Sequence, residues 1–199
     1  MEFGRHSGRD LLGTTLRPKR KMIIRPRLAV LSAAFAVVAC HRPARTETTS
    51  SATAAMHDSA GNAVGTLHLQ QTRNGVRIVG DLTGLPAGTH GIHLHQTGRC
   101  EGPAFTTAGG HFNPAARHHG LDNPAGPHAG DLPNIVVPAS GRVSVRLLDE
   151  RVTLDSASTG GLFDSDGTAI VVHAAADDQR SDPAGNSGSR IACGVITKS

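Results

Sequence analysis

Three histidines crowd the stretch "GTHGIHLHQTGRC", which begins at Gly88: His90, His93 and His95. On a strand, side chains two apart face the same way. His93 and His95 then present two imidazoles on one face and leave Leu94 to the other. Taken alone, such a pair is an ordinary surface feature over a core leucine. It is not alone. His111, His118, His119, His128 and Asp131 follow within one section that lacks apolar periodicity, and His173 closes the apolar run "TAIVVH". Polar donors concentrated in a loop without its own packing are what a metal-organised loop requires. A donor set of imidazole and carboxylate, without thiolate, favours zinc or copper.

These side chains need strands to hold them. "AVGTLHLQQ" and "VRIVGDL" alternate in polarity and flank the Asn-Gly turn of "TRNG", the signature of a hairpin. "HGIHLHQ", "GRVSVRLLDE", "RVTLDS", "TAIVVHA" and "RIACGVI" read as further strands. No amphipathic helix stands out. The expectation is an all-β sandwich or closed barrel. Thr97 to Pro133 forms one long irregular section, and loops of that length usually carry function.

Composition agrees. Trp and Tyr are absent, Phe occurs five times and Gly 24 times in 199 residues, so the core must come from Val, Ile, Leu and Ala. The net charge of +4 misleads. Residues 1–39 hold eight Lys/Arg and two Asp/Glu, leaving 12 basic and 14 acidic residues from Cys40 onward. With no basic face and few aromatics there, nucleic-acid binding is not expected.

The basic segment "RPKRKMIIRPR" precedes an apolar run of 12 residues, Leu28 to Ala39, too short to span a bilayer as a helix and suited to a signal-peptide core. "VVAC", ending at Cys40, resembles a bacterial lipobox, in which that cysteine is acylated. Met22 would start a more ordinary leader, which makes residues 1–21 a candidate start-site artefact. The chain thus divides into a leader over 1–39, a flexible Arg/Thr/Ser/Ala tether over 40–60 and a domain over 61–199. If Cys40 carries lipid, Cys100 and Cys193 remain as a pair in an oxidising compartment. Closing that loop stabilises by about 4–5 kcal/mol in the chain-entropy model.

"GIHLH", "GGHFNP", "HAGDLPN", "VVHAAADD" and "GNSGSRIACGVI" occur in the order and spacing of the copper/zinc superoxide dismutase family. The resemblance covers about residues 61–197. It implies a Greek-key β-barrel or sandwich of about eight antiparallel strands, with a long metal-binding loop and a shorter electrostatic loop. It implies one copper and one zinc per subunit. Copper would be held by His93, His95, His111 and His173, and zinc by His111, His119, His128 and Asp131, with His111 as the bridge. The family's spacing selects His119 over His118. Asp177 would link a copper histidine to a zinc histidine, His90 would orient the loop without ligating, and Cys100–Cys193 would be the disulfide. Arg190 would sit beside copper.

The activity implied is dismutation of superoxide to oxygen and hydrogen peroxide, with His111 carrying a proton and Arg190 drawing in the anion. The setting implied is exported: a periplasmic or envelope protein, held at the membrane through lipid on Cys40. A homodimer is one arrangement open to it, since family members pair different barrel faces. Two departures stand out. Cys100 lies 11 residues before His111, a longer spacing than in eukaryotic members, and only 12 residues separate Asp177 from Arg190. The second departure removes the usual guiding charges and leaves Arg180 as a substitute. Two other functions would use the same histidines: a copper/zinc buffer or copper-delivery module, which would not need Arg190, and a zinc hydrolase, which would need an open position on the metal.

Overall fold

The computed structural model describes residues 50–199. The leader, Cys40 and the first part of the tether lie outside the described residues. Nine strands follow in order: β1 (Ser51–Asp58), β2 (Ala63–Thr72), β3 (Gly75–Thr83), β4 (Gly88–His90), β5 (Ile92–His95), β6 (Ile135–Val137), β7 (Arg142–Asp149), β8 (Ala169–His173) and β9 (Arg190–Lys198). The one helical element among the described residues is a short 3-10 turn, Thr106–Ala108. Seven strands make a curled antiparallel sheet in the order β5-β8-β9-β1-β2-β3-β7, and β4 pairs with β6 in a small second sheet. The all-β expectation holds.

Three expectations change. Residues 51–58 are not tether: they form β1, paired to β2 on one side and β9 on the other. The strand alternates, burying Ala52, Ala54 and Met56, but two of those three are alanines and carry little apolar signal. "HGIHLHQ" is two strands. The chain leaves the small sheet at Gly91, whose N–H bonds the Ala175 carbonyl and whose carbonyl accepts from His173 N–H. "RVTLDS" is not a strand. Val152 and Leu154 are buried, but the backbone there is held by Gln71, whose side-chain oxygen accepts from Leu154 N–H at 2.7 Å.

Inward residues of β1, β2, β3, β5 and β8, among them Met56, Leu67, Leu69, Ile78, Leu82, Leu94 and Ile170, share one apolar core. β8 is buried on both faces. Its other face, Ala169 and Val171, packs with Phe105, Ala108 and Cys193 under the segment tied by the Cys100–Cys193 disulfide. That outer face places the histidines. His93 and His95 sit opposite Val171 and Ala169, turned away from Ile92 and Leu94 in the core. The long loop then returns along β5: Leu94 N–H bonds Gly130 O at 2.9 Å, and Phe112 N–H bonds Leu94 O at 2.8 Å. Gly130 permits this, because a Cβ there would collide with the Leu94 carbonyl.

Candidate metal centre

His93, His95, His111 and His173 place one ring nitrogen each within 4.8 Å of one another, and so do His111, His119, His128 and Asp131 through their own donor atoms. All seven residues are buried. His111 belongs to both groups.

Hydrogen bonds fix which nitrogen each ring offers. A carbonyl can only accept, so a ring nitrogen facing one must carry the proton. His95 Nδ1 donates to Gly109 O at 3.0 Å, and His173 Nδ1 donates to Gly188 O at 3.2 Å. Their Nε2 atoms, left with lone pairs, face each other at 3.4 Å. His93 Nε2 donates to Asp177 Oδ2 at 2.7 Å, which leaves His93 Nδ1 bare and without a partner. His111 Nδ1 lies 2.9 Å from Asp131 Oδ1, and His111 Nε2 is likewise buried with no partner. Four unprotonated imidazole nitrogens therefore converge on one place. Unpaired buried acceptors are costly, and a cation is the species that satisfies all four. Burial pushes these rings down, His111 to about 4 and His173 to about 3, so protons do not fill the role near neutral pH. His93 and His95 are lowered by the same desolvation.

The second group is built around a carboxylate. Asp131 Oδ1 lies 2.9, 3.0 and 3.3 Å from Nδ1 of His111, His119 and His128. Its Oδ2 accepts the N–H groups of Gly120 and His128. Burial alone would raise the Asp131 carboxyl, but these hydrogen bonds hold it well below the usual carboxylate range. His119 is the opposite of the strand histidines. Burial lowers it, yet Asp131 on Nδ1 and Asp177 on Nε2 outweigh that and raise it to about 9. A proton thus occupies the His119 position that a metal would take. Three imidazoles and one carboxylate about a single point match a closed four-coordinate zinc set.

Asp177 joins the two groups. Its Oδ2 takes His93 Nε2, and its Oδ1 takes His119 Nε2 at 2.9 Å. Asn134, which had no role in the sequence reading, holds Asp177 by both backbone groups, at 2.8 and 2.9 Å. Gly185 lies against this linkage, at a φ of +60° that suits glycine, and a Cβ there would run into the Asp177 carboxylate. His90 sits outside both groups, with its ring nitrogens 2.8 Å from His173 O and 2.9 Å from Pro86 O. His118 also stays out. Its ring is exposed and bonds Asp182.

A cleft of about 410 Å³ opens onto the site, lined by His95, His111, His128 and His173 and by Arg190. Arg190 is the one full positive charge in that lining. Its Nη1 and Nη2 donate to Phe105 O at 2.5 Å and Gly109 O at 2.6 Å, which aligns the guanidinium with the rim. Arg180 does not line the cleft; it is exposed and lies 3.8 Å from Asp122. Cys100 and Cys193 are joined, with Cα atoms 5.6 Å apart. The backbone carbonyls of Gly109 and Gly188, which set two tautomers, left no mark in the sequence: any residue supplies a carbonyl.

The family model described as copper/zinc superoxide dismutase matches residues 63–196. The chain is 47% identical to superoxide dismutase [Cu-Zn] 2 of Aquifex aeolicus over 140 residues, which is 70% of this chain and 82% of that protein. Among solved structures, a SOD-like protein from Bacillus subtilis superposes with a TM-score of 0.71 at 37% identity, covering 73% of this chain and 97% of that one. The Cu/Zn superoxide dismutase from Brucella abortus superposes with a TM-score of 0.61 at 28% identity, covering 74% of this chain and 99% of that one. With the family model spanning most of the chain, and with relatives of this identity and coverage, the protein is a member of the copper/zinc superoxide dismutase family.

Proposed function

We propose that the chain dismutes superoxide, two anions and two protons giving oxygen and hydrogen peroxide, with one copper and one zinc per chain. The observation that carries the assignment is the His111 ring, shared by both groups, with Nδ1 on Asp131 and a bare, buried Nε2. Copper would be held by His93 Nδ1, His95 Nε2, His111 Nε2 and His173 Nε2. Zinc would be held by Nδ1 of His111, His119 and His128 and by Asp131 Oδ1. Bound there, copper supplies one-electron exchange with superoxide, and zinc supplies a fixed charge that orders the loop. His111 Nε2 would hold either copper or a proton, one at a time, and the proton would pass from it to reduced substrate. Arg190 gathers the small anion and orients it, an electrostatic role that counts most where water is excluded. Asp177 fixes the His93 and His119 rings from behind.

Arg190 at the cleft favours an enzyme over a metal buffer, which has no use for an anion-facing cation. A hydrolase is disfavoured because the loop group already offers four donors. The decisive experiment measures copper and zinc content and superoxide decay by pulse radiolysis on one sample. Turnover that follows copper content is expected. A fully metallated protein without turnover would be a buffer.

The exported setting rests on the leader at 1–39 and on a disulfide, which persists in oxidising compartments. Lipid on Cys40 would hold the domain at the envelope through a tether that ends before β1, some ten residues shorter than composition suggests. Cys40→Ala should give an unlipidated, poorly processed chain. Wild type that fractionates as freely soluble with its leader intact would remove the anchor.

A further inference from the structure

The seven-stranded sheet ends in β5 on one side and β7 on the other. Asp131 lies between them. Its backbone bridges His93 on β5. Its carbonyl accepts a 2.5 Å hydrogen bond from Nη2 of Arg151, two residues beyond the end of β7. The same guanidinium nitrogen lies 3.1 Å from Asp149 Oδ1, and that oxygen also accepts Arg151 N–H at 3.0 Å. Asp149 is fully buried, and its Oδ2 has no partner. A carboxylate kept in such a place, incompletely bonded and pushed up by burial to about 6, is a poor device for stability alone. It does one definite thing, which is to fix the direction of Arg151.

We propose that Arg151, aimed by Asp149, is a positioning residue that sets the Asp131 carboxylate at the loop metal group by gripping the Asp131 main chain from the opposite sheet edge. Asp131 is then held from two sides. The β5 side fixes its register beside His93, and the β7 side fixes how far its backbone stands from the sheet. The carboxylate that three imidazoles share depends on both. Arginine suits the task because Nη2 has two hydrogens, for the Asp131 carbonyl and the Asp149 carboxylate, on a rigid planar group that holds their directions. The freely rotating ammonium of a lysine does this less well. Both residues lie outside the motifs that carry the family resemblance, and "RVTLDS" reads from sequence as a strand.

The inference rests on the reading that the His111, His119, His128 and Asp131 group takes zinc. Zinc affinity by chelator competition, and the visible spectrum of cobalt placed at that group, are measured on wild type, Arg151→Met, Arg151→Lys and Asp149→Asn. Melting of each metal-free protein is followed in parallel. Partners behind metal ligands typically contribute about 10–100-fold in affinity. Arg151→Met is expected to lose about tenfold or more, with a shifted cobalt spectrum and little change in copper affinity. Arg151→Lys should recover part of the loss, and Asp149→Asn should lose less than Arg151→Met. If Arg151→Met does not fold, Asp149→Asn and Arg151→Lys decide. Unchanged zinc affinity and cobalt spectrum in the folded variants overturn the inference, whatever happens to melting. Wild type that takes no zinc overturns the reading of the site instead.

Discussion

The two histidine groups solve one problem in opposite ways. The first stands on strands: His93 and His95 on β5 and His173 at the end of β8, with His111 brought in by the loop. Its rings are set by hydrogen bonds to Gly109, Gly188 and Asp177, and of its inward nitrogens two have no partner and two face each other. The second group is mostly loop. Without metal it satisfies itself, because Asp131 accepts from the imidazoles and His119 keeps a proton between two carboxylates. One group stands on strands with its nitrogens unsatisfied, and the other is self-paired and would exchange a proton for a metal. His111 belongs to both groups, so what differs is how each half waits.

Removing one member from each half should expose that difference most strongly. Asp131→Ala leaves a protonated, buried His119 facing a missing partner, and breaking a buried pair this way costs about 3–5 kcal/mol. His95→Ala removes a neutral ring and relieves a repulsive pair of nitrogens, so its cost should stay nearer the ordinary range of about 1–3 kcal/mol. Urea unfolding of the metal-free variants measures both. Equal losses would mean that the loop group is not self-paired.

The same contrast predicts a pH profile for the metal-free protein. His111 at about 4 and His173 at about 3 lie below the unfolded histidine value of 6.5. Between those limits the unfolded chain binds more protons, so stability falls as the pH drops from about 6.5 toward 3. His119 at about 9 lies above the unfolded value. Its contribution is complete below 6.5 and is lost as the pH rises through 9. Asp131, held low, contributes above about 3.8 and less as acid is added. Stability without metal should therefore peak near pH 6.5. A urea midpoint that stays flat from pH 6.5 to 4, measured with chelator present, would show that the strand group is not buried in neutral form.

Much of this was legible because metal ligation is written in residue types and spacing. His93 and His95 share a face by strand alternation, and family spacing separates His119 from His118. The remainder is invisible for identifiable reasons. β1 hides because Ala52 and Ala54 bury as well as valine in a tight sheet but look like linker. The split at Gly91 depends on the Ala175 carbonyl and the His173 N–H, more than 80 positions away. Arg151 acts on a main-chain oxygen, and a main-chain oxygen has no letter in the sequence.

Arg190 tests the strand half from the solvent side. It is not in either donor group, so Arg190→Ala should leave copper and zinc unchanged. Electrostatic focusing is worth about 10–10³ in association rate, spread over all nearby charges. The cleft lining holds one full positive charge, so its loss should slow turnover about tenfold, and a glutamate there should do worse. Wild-type turnover should fall as salt rises, over a Debye length of about 10 Å at 0.1 M, and the variant should respond less. Pulse radiolysis at several ionic strengths, with metal content matched, measures this. Unchanged turnover in the variant removes Arg190 from the mechanism.

The smallest effect should come from the loop half, at the histidine beside a ligand. His118 is exposed and bonds one oxygen of Asp182, while the other oxygen accepts His119 N–H at 2.5 Å. His118→Ala deletes an exposed pair, the kind worth about 0–1 kcal/mol, and leaves the Asp182 bond to the His119 backbone in place. Zinc affinity should change by no more than about fivefold, the equivalent of about 1 kcal/mol. His119→Ala removes a ring held by Asp131 and Asp177 and should abolish tight zinc binding. The two substitutions are adjacent and chemically identical, so the contrast cancels any general effect of losing an imidazole from this loop. Chelator competition on both proteins decides. Comparable zinc loss from the two would place His118 in the group and move the loop register by one residue.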